Sequence, residues 1–154
     1  MINVSNVVDE HNPFDLSRFT NAQESVYDNV LAELTSGQKR THWMWYIFPQ
    51  IAGLGHSATS KHYAIKNLEE AGQYLNHPVL GKRLLECAEA VYAVDGRSIS
   101  EIFAYPDDLK LKSSMTLFAS VAPSCSVFSR ILDKYFNGER DILTLHLLEK
   151  LKAK

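Results

Sequence analysis

The sequence predicts an all-α protein, a compact single-domain array of about eight short to medium helices. Three observations carry that expectation. Apolar residues recur at spacings of three and four along most of the chain. Residues suited to cap or end helices stand where these stripes begin and stop. Signals for strands, by contrast, are sparse, and 154 residues suit one domain with a single core.

Taken in order, residues 1–13 lack sustained periodicity and read as a flexible or irregular arm before a helical domain over 14–154. Phe19, Ala22, Val26, Val30 and Leu34 then mark one face of a helix of about twenty residues. Asp15 can cap it, and Gly37 can end it in the left-handed conformation. The run THWMWYIFP has no clean period. We read it as a helical turn or two begun by Thr41 and stopped by Pro49. A buried strand is the alternative, because Trp, Tyr, Ile and Phe all fit one. Gly53 and Gly55 mark a loop. Ser57 can cap a short helix through Tyr63 and Ile65, and Asn67 with Glu70 reads as a capping-box variant ahead of Ala71, Tyr74 and Leu75.

Pro78 suits the first turn of a helix outlined by Val79, Leu80, Leu84, Cys87, Ala88 and Val91, ending near Asp95 and Gly96. Ser98 and Glu101 form a second capping box, and Pro106 closes the short helix that it opens. Leu111, Met115, Phe118 and Ala122 stripe a helix over about 107–120. Ser124 begins the next, with Phe128, Ile131, Leu132 and Tyr135 inward and Gly138 at its end. Asp141 starts the last, whose dry side is Leu145 and Leu148, with Leu147 and Leu151 beside them.

Charge and composition exclude several classes of function. Sixteen Lys and Arg against eighteen Asp and Glu give a formal charge of -2, too little positive charge to drive binding to duplex nucleic acid. A local basic pocket is compatible with that balance, as is a single strand bound by stacking. The longest apolar stretches fall short of a membrane span, and residues 1–10 carry no signal-peptide pattern. Cys87 and Cys125 are too few for a disulfide framework, which points to the cytoplasm. Neither H-E-x-x-H nor Cys-x-x-Cys occurs, so no metal site is expected.

The most informative stretch is SGQKRTHWMWYIFPQIAGLGHS. Trp43, Trp45, Tyr46 and Phe48 crowd four of the chain's sixteen aromatic residues into six positions. Such a knot can be nothing more than the densest part of a core. Lys39, His42 and Gln50 border it, however, and a flat apolar wall beside polar groups suits a planar ligand such as a base or nicotinamide ring. The turn carrying Gly53, Gly55, His56 and Ser57 can offer backbone amides to an anion, although neither standard nucleotide-binding glycine motif is present. In YPDDLKLKSSMTLF, helical spacing puts Lys110 and Ser114 on one face with Ser113 beside them. That is fit for phosphate or ribose, and equally for serines bonded back to their own helix.

These residues define an expected pocket. Gln23, Lys39, Trp43, Trp45, Gln50, Gly53, Gly55, Ser57, Tyr63, Ser113 and Ser114 line it, with His42 and Lys110 as the catalytic candidates, His42 as acid or base and Lys110 supplying positive charge. For His42 the alternative is a buried ring bonded to a backbone carbonyl. The expected ligand is a phosphorylated or nucleotide-like small molecule, an ADP-ribose type among those that fit. The chemistry would be metal-independent hydrolysis or group transfer at a glycosidic or phosphoryl centre. Asp15, Asp107, Asp108 and Asp141 all stand near helix starts and read as caps. The competing expectation is a non-enzymatic protein-interaction or regulatory domain with an unspecified partner.

The strings FDLSRFTNAQ, SGQKRTHWMWYIFPQIAGLGHS, YAI, HPVLG and EIFAYPDDLKLKSSMTLF resemble the uncharacterised bacterial family catalogued as domain of unknown function 1810. The resemblance covers nearly all the chain beyond its first dozen residues. It implies a mainly helical domain and carries over no activity, cofactor or substrate. Some members bear a calpastatin-like label, but such inhibitors are long, repetitive and disordered when free, unlike this chain.

Overall fold

The computed structural model describes residues 14–152, and the arm expected over 1–13 lies outside them. Ten helices form among the described residues: α1 (Ser17–Gln23), α2 (Tyr27–Ser36), α3 (Met44–Ile47), α4 (Ala58–Tyr63), α5 (Leu68–Asn76), α6 (Leu80–Ala93), α7 (Ile99–Ile102), α8 (Asp107–Ala119), α9 (Val127–Phe136) and α10 (Ile142–Lys152). The expected all-α class holds.

Local capping chemistry sets most of the helix starts. Ser57, Asn67 and Ser98 each accept a hydrogen bond from the backbone amide three residues on, and Glu101 completes the box by accepting from the Ser98 amide. Asp141 does the same for the Thr144 amide at 2.9 Å. The α9 cap is Ser126, not Ser124. Gly37 closes α2 at φ 83, as its place after the apolar stripe predicts. His77 caps α6 through Nδ1, which accepts from the Val79 and Leu80 amides, both at 3.1 Å.

The helix of twenty residues expected over the first stripe is two helices. The Gln23 amide is drawn into the core, donating to the Tyr46 carbonyl at 2.8 Å and the Tyr74 hydroxyl at 3.0 Å. The chain turns after it, α1 packing on α3 and α2 on α6. One straight stripe cannot face both partners. The aromatic run is one helical turn, α3, and its extended character emerges just beyond, where Ile51 pairs with Ile65 in an isolated parallel bridge. Thr41 does not cap that turn. On α10 the buried residues are Thr144 and Leu148, whereas Leu145 and Leu151 are 38% and 37% exposed, so the dry side is narrower than expected.

The centre of the molecule is α8, which contacts α5, α7, α9 and α10. Leu111 and the six residues from Ser113 to Phe118 are buried, leaving little of this helix to solvent. A helix covered on nearly every side belongs in the interior. Its first turn emerges beside α3, and this brings Asp107 and Lys110 to the aromatic segment.

Candidate functional site

Glu33 organises the approach to the site. It is 6% exposed on α2, and its Oε1 accepts from the Arg40 amide at 2.7 Å, the Thr41 amide at 3.0 Å and the Trp43 indole at 3.0 Å. Its Oε2 accepts from Asn29 at 2.7 Å and from the Thr41 hydroxyl at 2.6 Å. Burial works against the charge. The bonds from Thr41, Arg40 and Trp43 outweigh it and hold the carboxyl at about 2. The loop before α3 is thereby wrapped on one carboxylate, and Trp43 is buried with its indole fixed.

Next to this loop lies a cleft of about 320 Å³ bordered by Lys39, His42, Trp43, Trp45, Tyr46, Thr59, Asp107 and Lys110. Asp107 holds both lysines. Lys39 Nζ lies 2.9 Å from its Oδ2 and Lys110 Nζ 3.3 Å from its Oδ1. Lys39 Nζ also donates to the Thr41 carbonyl at 2.6 Å and stands 5.0 Å from the Trp43 ring centroid. Lys110 Nζ stands 4.3 Å from the centroid of Trp45, within cation–π range. Two ammonium groups therefore share one carboxylate, leaving one positive charge in excess against two indoles. His42 borders the cleft but is exposed, so the burial expected to tune it is not found.

Trp45 also borders a second space, a hollow of about 190 Å³ lined by Gln50, Gly53, Leu54, Gly55, Ser60, Tyr63 and neighbouring backbone. Gly53 adopts φ 105, which favours glycine, and Gly55 runs so close to Ser60 that a Cβ there would stand 2.6 Å from its side chain. Arg18 pins the far wall: it pairs with Glu70 at 2.9 Å in a buried ion pair and donates to the His62 and Ala64 carbonyls.

The expected pocket residues thus divide. Lys39, His42, Trp43, Trp45 and Lys110 meet in the cleft, and Trp45, Gln50, Gly53, Gly55 and Tyr63 meet in the hollow. The remaining four are placed otherwise. Gln23 is a core tie with its amide occupied, and Ser57 is the exposed cap of α4. Ser113 donates back to the Leu109 carbonyl at 3.2 Å, the ordinary alternative for a helical serine, and Ser114 is fully buried on α8. Asp107, expected as a cap, pairs instead with two lysines. Its spacing of three from Lys110 was the available signal for the ion pair. Glu33 escaped notice, although it is a charged residue on the apolar stripe of α2.

No group of three or more His, Cys, Asp or Glu side chains suited to a metal occurs among the described residues. Nor is any helix there long and apolar enough to cross a membrane.

Fold and site together define a small all-α domain with a lysine–tryptophan cleft at the start of its central helix. Residues 13–148 match the model of a family described as a protein of unknown function, DUF1810, and the chain belongs to that family. It is similar to the conserved hypothetical protein Rv1873 from Mycobacterium tuberculosis, whose crystal structure shares 53% sequence identity and a TM-score of 0.88 over 90% of this chain and 99% of that one. No curated protein matches the chain.

Proposed function

We propose that the protein binds a phosphorylated or nucleotide-like small molecule in the cleft between the α3 segment and the start of α8, inside the cytoplasm. The observation that carries this reading is the pair Lys39 and Lys110, held by one Asp107 carboxylate against the faces of Trp43 and Trp45. Lys110 is the cation an incoming phosphate would engage. Its contact with Asp107 is the longer of the two, and about a quarter of its side chain is exposed. Lys39, at 8% side-chain exposure, would act from behind through charge. If the cleft also performs hydrolysis or group transfer, His42 is the acid–base group at its border.

A thermal-shift screen of nucleotides, ADP-ribose and sugar phosphates tests this, since a ligand that binds the folded state raises the melting temperature. A shift is expected for at least one phosphorylated compound. Lys110→Ala should weaken its binding by roughly tenfold, the scale of one charge-assisted hydrogen bond. Equal shifts in wild type and Lys110→Ala would remove the cleft from the account. His42→Ala should leave binding within about threefold of wild type and abolish any turnover found.

The second reading, a non-enzymatic interaction domain, draws on α10, where Ile142 and Leu143 are 70% and 55% exposed. Failure of every phosphorylated compound to bind would favour it.

A further inference from the structure

We infer that the hollow beside Trp45 recognises a flat, uncharged ring carrying a hydrogen-bond acceptor on its edge, with the Gln50 side-chain amide as the donor. The inference deepens the reading above, because it assigns the ring-bearing end of the proposed ligand. It rests on that reading in taking ring and phosphate to belong to one molecule.

Gln50 is 8% exposed, lines the hollow, and its Nε2 has no hydrogen-bond partner in the protein. Buried amide hydrogens are almost always paired, so an unpaired one on a residue that lines an open space asks for an acceptor there. The backbone cannot move to supply one. The Gln50 carbonyl accepts from the Ile65 amide at 2.8 Å, the Ala52 amide donates to the Ile65 carbonyl at 2.8 Å, and the bridge between Ile51 and Ile65 lies between these bonds.

The rest of the lining favours a ring. Trp45 and Tyr63 offer aromatic surface, and Tyr63 is held from behind by Tyr46 and Phe19 at centroid distances of 5.4 and 5.9 Å. Lys61 also borders the hollow but is exposed, so its charge sits in water. A space of about 190 Å³ is smaller than the roughly 300–1,000 Å³ typical of whole small-molecule sites. It takes one ring system, and the remainder of a larger ligand must lie outside. The cleft that shares Trp45 is the adjoining place for it.

Unphosphorylated probes isolate this half of the site. Nicotinamide, adenosine and uridine are titrated into the full-length chain while tryptophan emission is followed. The chain has two tryptophans, and Trp43 is buried and bonded to Glu33, so a ring entering the hollow acts on Trp45. At least one probe should give a saturable change. Gln50→Met should weaken that probe by about tenfold or more. Gln50→Met should melt no lower than wild type, because it removes an unpaired polar group and keeps the volume. In the unmutated chain the Gln50 side-chain amide resonances should shift with the same saturation, a readout that needs no variant to fold. No saturable change with any probe, unshifted Gln50 resonances, or unchanged affinity in Gln50→Met would each overturn the inference. Binding of phosphorylated compounds alone, dependent on Lys110, would sink the hollow and leave the cleft. Binding of the bare rings with no Lys110-dependent phosphate effect would do the reverse.

Discussion

Glu33 shows how one side chain can set the shape of a loop. Its five hydrogen bonds fill both carboxylate oxygens, three donors sharing Oε1, and each donor belongs to a residue that positions the aromatic segment or packs beside it. Replacing it with glutamine turns one acceptor oxygen into a donor, which at the Oε1 position faces two amides and the Trp43 indole and at the Oε2 position forces Asn29 and the Thr41 hydroxyl to reverse. Glu33→Gln should therefore cost on the order of 2–4 kcal/mol, read as a lower urea midpoint. The pH dependence follows from the same bonds. The folded carboxyl sits at about 2, below its unfolded value of 4.5, so the stabilisation is complete above 4.5 and is lost as pH falls towards 2. On the order of 3 kcal/mol of acid sensitivity should come from this group and be missing in Glu33→Gln. Parallel acid melts that superimpose after subtraction of a constant would contradict it. Such a residue is hard to find by periodicity, because its value depends on donors four to ten positions away that only the folded loop assembles.

At the scale of elements, the legible features were those decided locally. Ser57, Asn67, Ser98 and Asp141 cap the helices they precede, because a cap needs only an oxygen and an amide three residues on. The break after α1 was illegible, since it arises from distant partners, the Tyr46 carbonyl and Tyr74 hydroxyl, that take up the Gln23 amide. The site shows the same division. The residue types around Trp43 and Trp45 marked the region, but Gln23 is tied into the core by distant partners, Ser113 bonds back to its own helix and Ser114 is buried within α8. Close helix approach was also invisible beforehand. A Cβ on Gly81 would lie 1.9 Å from the Leu75 carbonyl oxygen, where α6 begins against the end of α5. Backbone cannot yield as a flexible side chain does, so Gly81→Ala should destabilise by roughly 2–3 kcal/mol in spite of alanine's better helix propensity. Gly72→Ala makes the control: it lies within α5 with open space beside it and should be neutral or slightly stabilising.

Across the whole molecule, order runs outward from α8. That helix is nearly enclosed by its neighbours, whereas α10 buries Thr144 and Leu148 and leaves Ile142, Leu143, Leu145 and Leu151 largely or partly in solvent. Local stability follows buried contact, so α10 amides should exchange with deuterium at least tenfold faster than those of α8, to an order of magnitude. Equal protection would mean that something beyond the described packing secures α10. Asp107 gives the lysine pair a further property. The two ammonium groups already hold a carboxylate, so the cleft works by exchange, like a resin supplied with its counterion. A monoanion such as chloride or acetate can offer Lys110 no more charge than Asp107 already does. A phosphate dianion offers twice as much, and selection for charge density is thereby built into the first turn of the central helix.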